Sequence, residues 1–340
     1  IPIKPHHHLR LPRLPDFPPS NSEEMGSLIG HVLPGLGFLL IGLWHLFSHT
    51  KLHSQDPKSY VSRLWFPSRW LKHLELYVIM SGAAVSVAME LFVGPDRHHP
   101  LAPDGTIPAY HLHNFEHSSI SVSFFVYASL SLVLDRLTPS PPAAHGIAHL
   151  LGAAALGQEL LLFRLHSADH VGVEGQYHAL LQLVIGVSLT TTILGVRLRT
   201  SFSASFVRSL SIMFQGVWLV MMGCALWTPQ LVPKGCFINV EAGHKVVRCG
   251  DAASLHRAKS LVNILFSWSF IAIVVFAFWF YLAVVNAYGD KFEYRSLAAA
   301  PDDTSKADDV ESQKKGPALQ DSNALTHTMQ KGFDAINMGR

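Results

Sequence analysis

The chain has 340 residues, 49% of them apolar and only 15% charged, with 21 histidines beside 24 acids and 26 lysines or arginines. Soluble domains run nearer a quarter charged, so this composition excludes a disordered or collagenous chain and disfavours an ordinary soluble enzyme. A net charge of +2 gives no electrostatic case for nucleic acid, and three cysteines are too few for a disulfide scaffold.

Residues 1–25 form a proline-rich leader with a His6-His7-His8 run. Met25-Gly26 is a candidate native start, whether the leader before it is native is left open, and the leader is set aside from the fold. Seven stretches then reach the length of about 20 apolar residues that a bilayer core requires. They are Leu28–Phe47, Leu76–Val93, Ser118–Leu134, Ala143–Phe163, Tyr177–Val196, Ser209–Trp227 and Leu261–Ala287. The third and seventh show no polar face at helical period, which argues against buried helices of a soluble bundle. The runs are continuous rather than alternating, which disfavours a strand barrel. The expected fold is therefore all-α: a polytopic seven-transmembrane-helix bundle over 26–289, with a disordered polar tail over 290–340. Its first span is expected to serve as a signal anchor, and its first partner is the lipid bilayer. No nucleic acid is expected, and a homodimer is left open.

Basic residues set the expected orientation. Lys51, Lys58, Arg63, Arg69 and Lys72 follow the first span, and Arg197, Arg199 and Arg208 lie between the fifth and sixth. That places the first, third and fifth connections and the C-terminus in the cytoplasm. The sixth connection dissents with Lys234, Lys245, Arg248, Arg257 and Lys259, yet it also holds Cys236 and Cys249, a disulfide candidate in an oxidising compartment. Whether the membrane is the plasma membrane or an endomembrane is left open.

Ionisable residues within spans are costly, and their positions converge. Alternating span directions put His31, Glu90, Glu116, His117, Glu159 and His178 in one half of the membrane, and adjoining loops add His113, His166, His170 and Glu174. His113 and His117 share a helical face, and His166, His170, Glu174 and His178 continue the four-residue spacing. Histidine and carboxylate in this pattern suit zinc or another divalent metal. The inner ligands are expected to be His117, Glu159, His166, His178 and Glu90, with His31, Glu116, Asn114, His113, His170 and Glu174 supporting them. A second set, His45, His49, His53, His73, His145 and His149, is poor in carboxylates and reads as an interfacial belt with Trp44, Trp65 and Trp70. Ala153 and Gly157 form a small-residue pair suited to close helix approach.

Gly30-His31-x-x-Pro34-Gly35-x-x-Phe38, followed by Gly42-x-Trp44, resembles the opening signature of the transmembrane protein 45 family, whose plant members are described as virus-response proteins. Asn114-x-x-His117-Ser118, Glu159, His166 and His178-x-Leu180-Leu181 resemble its third to fifth spans. The resemblance covers about residues 26 to 290 and implies a seven-span membrane protein, with a possible link to plant stress or virus response and no assigned reaction. The functional expectation is a multi-pass membrane protein with a divalent-metal site among its intramembrane His and Glu residues. The alternatives are a metal-dependent membrane hydrolase of a lipid or amide, a metal- or proton-coupled transporter, and a non-catalytic scaffold.

Overall fold

A computed structural model describes residues 21–69, 71–93, 99–137, 141–166, 171–241 and 244–289, without the side chains of 21–27, 110, 141, 142, 166 and 244. Residues 1–20 of the leader and the whole 290–340 tail lie outside the described residues. The elements are α1 (Asn21–Gln55), α2 (Leu74–Ala88), α3 (Leu112–Leu137), α4 (Pro141–His166), α5 (Val173–Arg197), α6 (Phe202–Trp227), β1 (Cys236–Glu241), β2 (His244–Cys249) and α7 (Ala252–Tyr288). A single π-turn over Met89–Val93 extends α2. All seven helices are long and apolar enough to cross a membrane. With seven crossings, the C-terminal ends of α2, α4 and α6 share one face with the hairpin, here the hairpin face, and the C-terminal ends of α1, α3 and α5 share the other.

Helix α6 is the axis of the bundle: 61% of its apolar window is buried, against 11% for α2 and for α3. Apolar helices gain nothing by leaving lipid for one another, so their association depends on close backbone approach. Glycines supply that approach between α1 and α6. A Cβ on Gly42 would overlap the backbone of Met213, and one on Gly216 would overlap Leu39 and the carbonyl of Gly35. A Cβ on Gly35 would lie 2.9 Å from Val220, and one on Gly223 3.0 Å from the Cβ of His31. Both glycine pairs repeat at seven residues, two helical turns, so one stripe of each helix carries the contact. The Ala153–Gly157 pair does not act this way, because nothing lies within 4 Å of a Cβ on Gly157. Gly152 is the closely packed position there, 3.4 Å from Tyr127.

Trp218, Met222, Leu181 and Ile185, all fully buried, form the core between α5 and α6, and Tyr177, Phe163 and Val262 close it. Ser201 caps α6 by accepting from the Ala204 amide at 3.2 Å, and Asp251 caps α7 by accepting from Ser254 at 2.7 Å.

Two boundaries differ from the sequence expectation. Helix α7 starts at Ala252, so Arg257 and Lys259 are helical rather than loop residues. Arg208 lies on the second turn of α6 and is 2% exposed, so it is not a loop cation at all. The strands are also additional to an all-α reading. β1 and β2 pair antiparallel with Cys236 opposite Cys249, and these two cysteines are joined in a disulfide. Arg248 grips Glu241 across the hairpin, Nε to Oε1 at 2.7 Å, and this hydrogen-bonded pairing pulls the Glu241 carboxyl down to about 2. Val247 on β2 is buried against the α5–α6–α7 core, so the hairpin rests on the end of the bundle.

Substituting Gly216→Leu is expected to prevent assembly of α1 against α6, since overpacking costs at least about 1–3 kcal/mol where neighbours can yield and backbone cannot yield. Gly157→Leu should leave the apparent melting temperature in detergent within a few degrees of wild type. Comparable losses in both variants would refute the glycine contact.

Candidate functional site

The expected His/Glu site divides into two groups in the hairpin-face half. Glu90 sits in the π-turn, where the widened backbone re-aims side chains and which recurs at functional sites. Its Oε2 accepts from Asn114 Nδ2 at 2.9 Å and its Oε1 pairs with His117 Nδ1 at 3.3 Å. The side chains of His117 and Glu90 are 24% and 17% exposed, so the pair is sheltered but not sealed. His31 reaches it from α1. Its ring centre lies 6.3 Å from those of both His117 and His178 and 4.5 Å from Trp227. His113 lies 6.1 Å from His117, one turn earlier on α3, and Glu116 is half-buried beside it.

The second group is deeper. Glu159 is 1% exposed and its Oε1 accepts from Gln215 Nε2 at 2.6 Å, so it meets an amide of α6 rather than a histidine. Glu159 Oε2 and Gln215 Oε1 are buried without a hydrogen-bond partner. His178 is also 1% exposed, with Nδ1 donating to the carbonyl of Glu174 at 3.1 Å and its ring against Phe163. Glu174 is buried in the first turn of α5. His170 and the side chain of His166 lie outside the described residues. Among the described residues, no group of three or more His, Cys, Asp or Glu side chains is arranged to hold a metal ion. Gln215 belongs to the site and was not expected; an amide inside an apolar run carries no spacing signal of its own.

The opposite half holds the larger surprise. His45, His49 and His149 are not an interfacial belt: they are 4%, 0% and 0% exposed. Arg208 organises them. Its Nη1 donates to His149 Nε2 at 2.8 Å, and its Nη2 donates to His49 Nε2 at 3.2 Å and to the carbonyl of Arg63 at 2.8 Å. A guanidinium has donors only, so both Nε2 atoms are acceptors and both imidazoles are neutral with the proton on Nδ1. The remaining contacts fit that tautomer. His149 Nδ1 donates to the carbonyl of His145 at 3.0 Å, and His49 Nδ1 donates to the Tyr60 hydroxyl at 2.9 Å.

The charge is balanced nearby. Glu75 takes His45 Nε2 at 2.5 Å and the Phe66 amide at 3.0 Å. Tyr60 is 2% exposed; burial raises its phenol above the usual range, while its hydroxyl meets Ser205 and Ser62. His145 Nε2 donates to the carbonyl of Ser62 at 2.8 Å. Close packing is built in at Gly195, where a Cβ would lie 2.6 Å from His149 and 3.2 Å from Arg208. The cluster therefore fastens the 56–73 segment to α1, α4 and α6. His53 stacks on Phe202 at 4.1 Å and His73 bonds Asp135 at 2.9 Å; both are half-buried, nearer the belt expected of them.

Replacing Arg208 with Met should strip donors from two buried imidazoles and a carbonyl, a loss of about 3–5 kcal/mol. Arg208→Lys should not restore stability, because one ammonium does not span two imidazoles and a carbonyl in a fixed plane. Thermal unfolding in detergent measures both, and a Lys variant as stable as wild type would contradict the fork geometry.

Residues 145–282 match a family described as a family of unknown function, DUF716. The matched stretch runs from α4 into α7 and contains Glu159, His178, Arg208 and Gln215, whereas His31, Glu90 and His117 precede it. That family corresponds to the transmembrane protein 45 family, which the opening segment of this chain also resembles.

Proposed function

We propose that Glu90 and His117 form a proton-exchanging site in the hairpin-face half of this multi-pass membrane protein. The observation that carries the reading is the hydrogen-bonded carboxylate–imidazole pair between α2 and α3, steadied by Asn114 and flanked by His31. Ionisable groups within a bilayer are expensive to retain, so such a pair points to a working role. Histidine is the side chain whose charge changes most readily near neutral pH, and a carboxylate one hydrogen bond away stabilises the imidazolium. The fixed charge of Arg208 in the other half opposes the passage of a proton or metal cation through the bundle. That asymmetry favours a site that exchanges with one face over a through-going transporter.

A divalent metal is the second reading, favoured by the central position of His31 at 6.3 Å from two other imidazoles. Zinc binds imidazole nitrogen at about 2.0–2.1 Å, so the three rings would have to draw inward by about 1 Å. We also assign the hairpin face to the non-cytoplasmic side and the C-terminus to the cytoplasm. A disulfide persists in an oxidising compartment, and the 56–73 segment keeps Lys58, Arg63 and Lys72 on the opposite face. The link to plant stress or virus response rests on the opening segment, Gly30 to Trp44.

Infrared difference spectra of the full chain in nanodiscs, acid minus neutral, test the proton site. A carboxyl band that vanishes in Glu90→Gln and shifts in His117→Ala is expected; identical spectra for wild type and Glu90→Gln would overturn the reading. Retention of about one zinc per chain after dialysis, lost in His31→Ala and His117→Ala, would transfer the assignment to metal. For orientation, a membrane-impermeant maleimide should label Cys236 and Cys249 in intact cells after mild reduction. Labelling only after permeabilisation would invert the topology.

A further inference from the structure

The lipid-facing side of α2 and α3 carries a groove of about 430 Å3, within the size range of small-molecule sites. Val87 and Leu91 form one wall, Phe115, Ser118 and Val122 of α3 the other, and Gln158 of α4 closes it. These walls belong to the two helices that bury least of their apolar windows, so the medium that reaches the groove is the bilayer.

Most of the lining is apolar, but one hydroxyl is unusual. Ser119 and Ser123 donate to carbonyls of their own helix, Phe115 and Ile120, each at 2.7 Å. Ser118 is 4% exposed, lines the groove, and its Oγ has no hydrogen-bond partner. A buried hydroxyl left unpaired in an apolar setting is unfavourable, and a guest that brings a hydrogen-bonding group removes that cost. No lysine or arginine lines the groove. The polar members of the lining, Ser118, Ser119, Ser123 and Gln158, carry no charge. A lining without charge offers a phosphate-bearing head no partner and suits an uncharged one.

We propose that this groove binds a neutral membrane lipid with a hydroxyl-bearing head, Ser118 taking the hydroxyl and Val87 and Val122 packing on the chain. The proposal stands apart from the proton site, since it needs neither the charge of Glu90 nor that of His117.

The test is photolabelling of the full chain in phosphatidylcholine nanodiscs with a diazirine-bearing monoacylglycerol, beside a diazirine hydrocarbon that lacks the head. The monoacylglycerol should label the α2–α3 peptides, and Val122→Trp should abolish that labelling while Leu130→Trp, lipid-facing on the same helix, does not. Ser118→Ala should weaken the monoacylglycerol about fivefold, the worth of one hydrogen bond, and leave the hydrocarbon unchanged. Equal labelling of wild type and Val122→Trp overturns the proposal, as does an equal effect of Ser118→Ala on both probes. Stronger competition by phosphatidic acid than by unlabelled monoacylglycerol also overturns it. Should the Trp variant fail to assemble, the Ser118→Ala comparison decides alone.

Discussion

A buried guanidinium sits inside this bundle, and much of the arrangement around it follows from bringing acceptors to its Nη1 and Nη2 donors without water. Arg208 cannot shed its proton, so the fold must bring acceptors to it. His149 comes from α4, His49 from α1 and the Arg63 carbonyl from the 56–73 segment. Each imidazole is then oriented by its own second hydrogen bond, to the His145 carbonyl and to Tyr60. Gly195 yields the space that these side chains occupy. One cation thus fixes the relative positions of three helices and a connecting segment. Its charge is answered by Glu75, which is itself held by His45 and a backbone amide.

The opposite half is built on looser terms. Glu90 and His117 keep partial exposure, and His31 stands within ring contact of His117 and His178. The α1–α6 glycine contact holds the two halves in register, because Gly35 and Gly42 approach α6 between His31 on one side and His49 on the other.

Much of the fold was legible in the chain. Seven apolar runs give seven helices because a bilayer leaves the backbone no other way to satisfy its polar groups. The placing of His31, Glu90 and His117 at one end of the bundle followed from span direction, and the structure sets them side by side with Asn114. Glu159 was expected among the same ligands, but its partner is Gln215; the end of a span follows from counting residues, whereas the facing side of a helix does not. The hairpin was missed because six-residue strands beside a long apolar run leave little periodic signal.

The sequence by itself determined the number of crossings, their length and the half of the membrane in which each ionisable residue lies, since these depend only on hydrophobic length and direction. Tertiary structure decided which histidines are buried and what they touch. Arg208 stands at the edge of an apolar run, where composition reads it as a loop cation, and His49 and His149 lie 100 residues apart in the chain. Their meeting depends on helix rotation and on close packing at glycine, which no local spacing records.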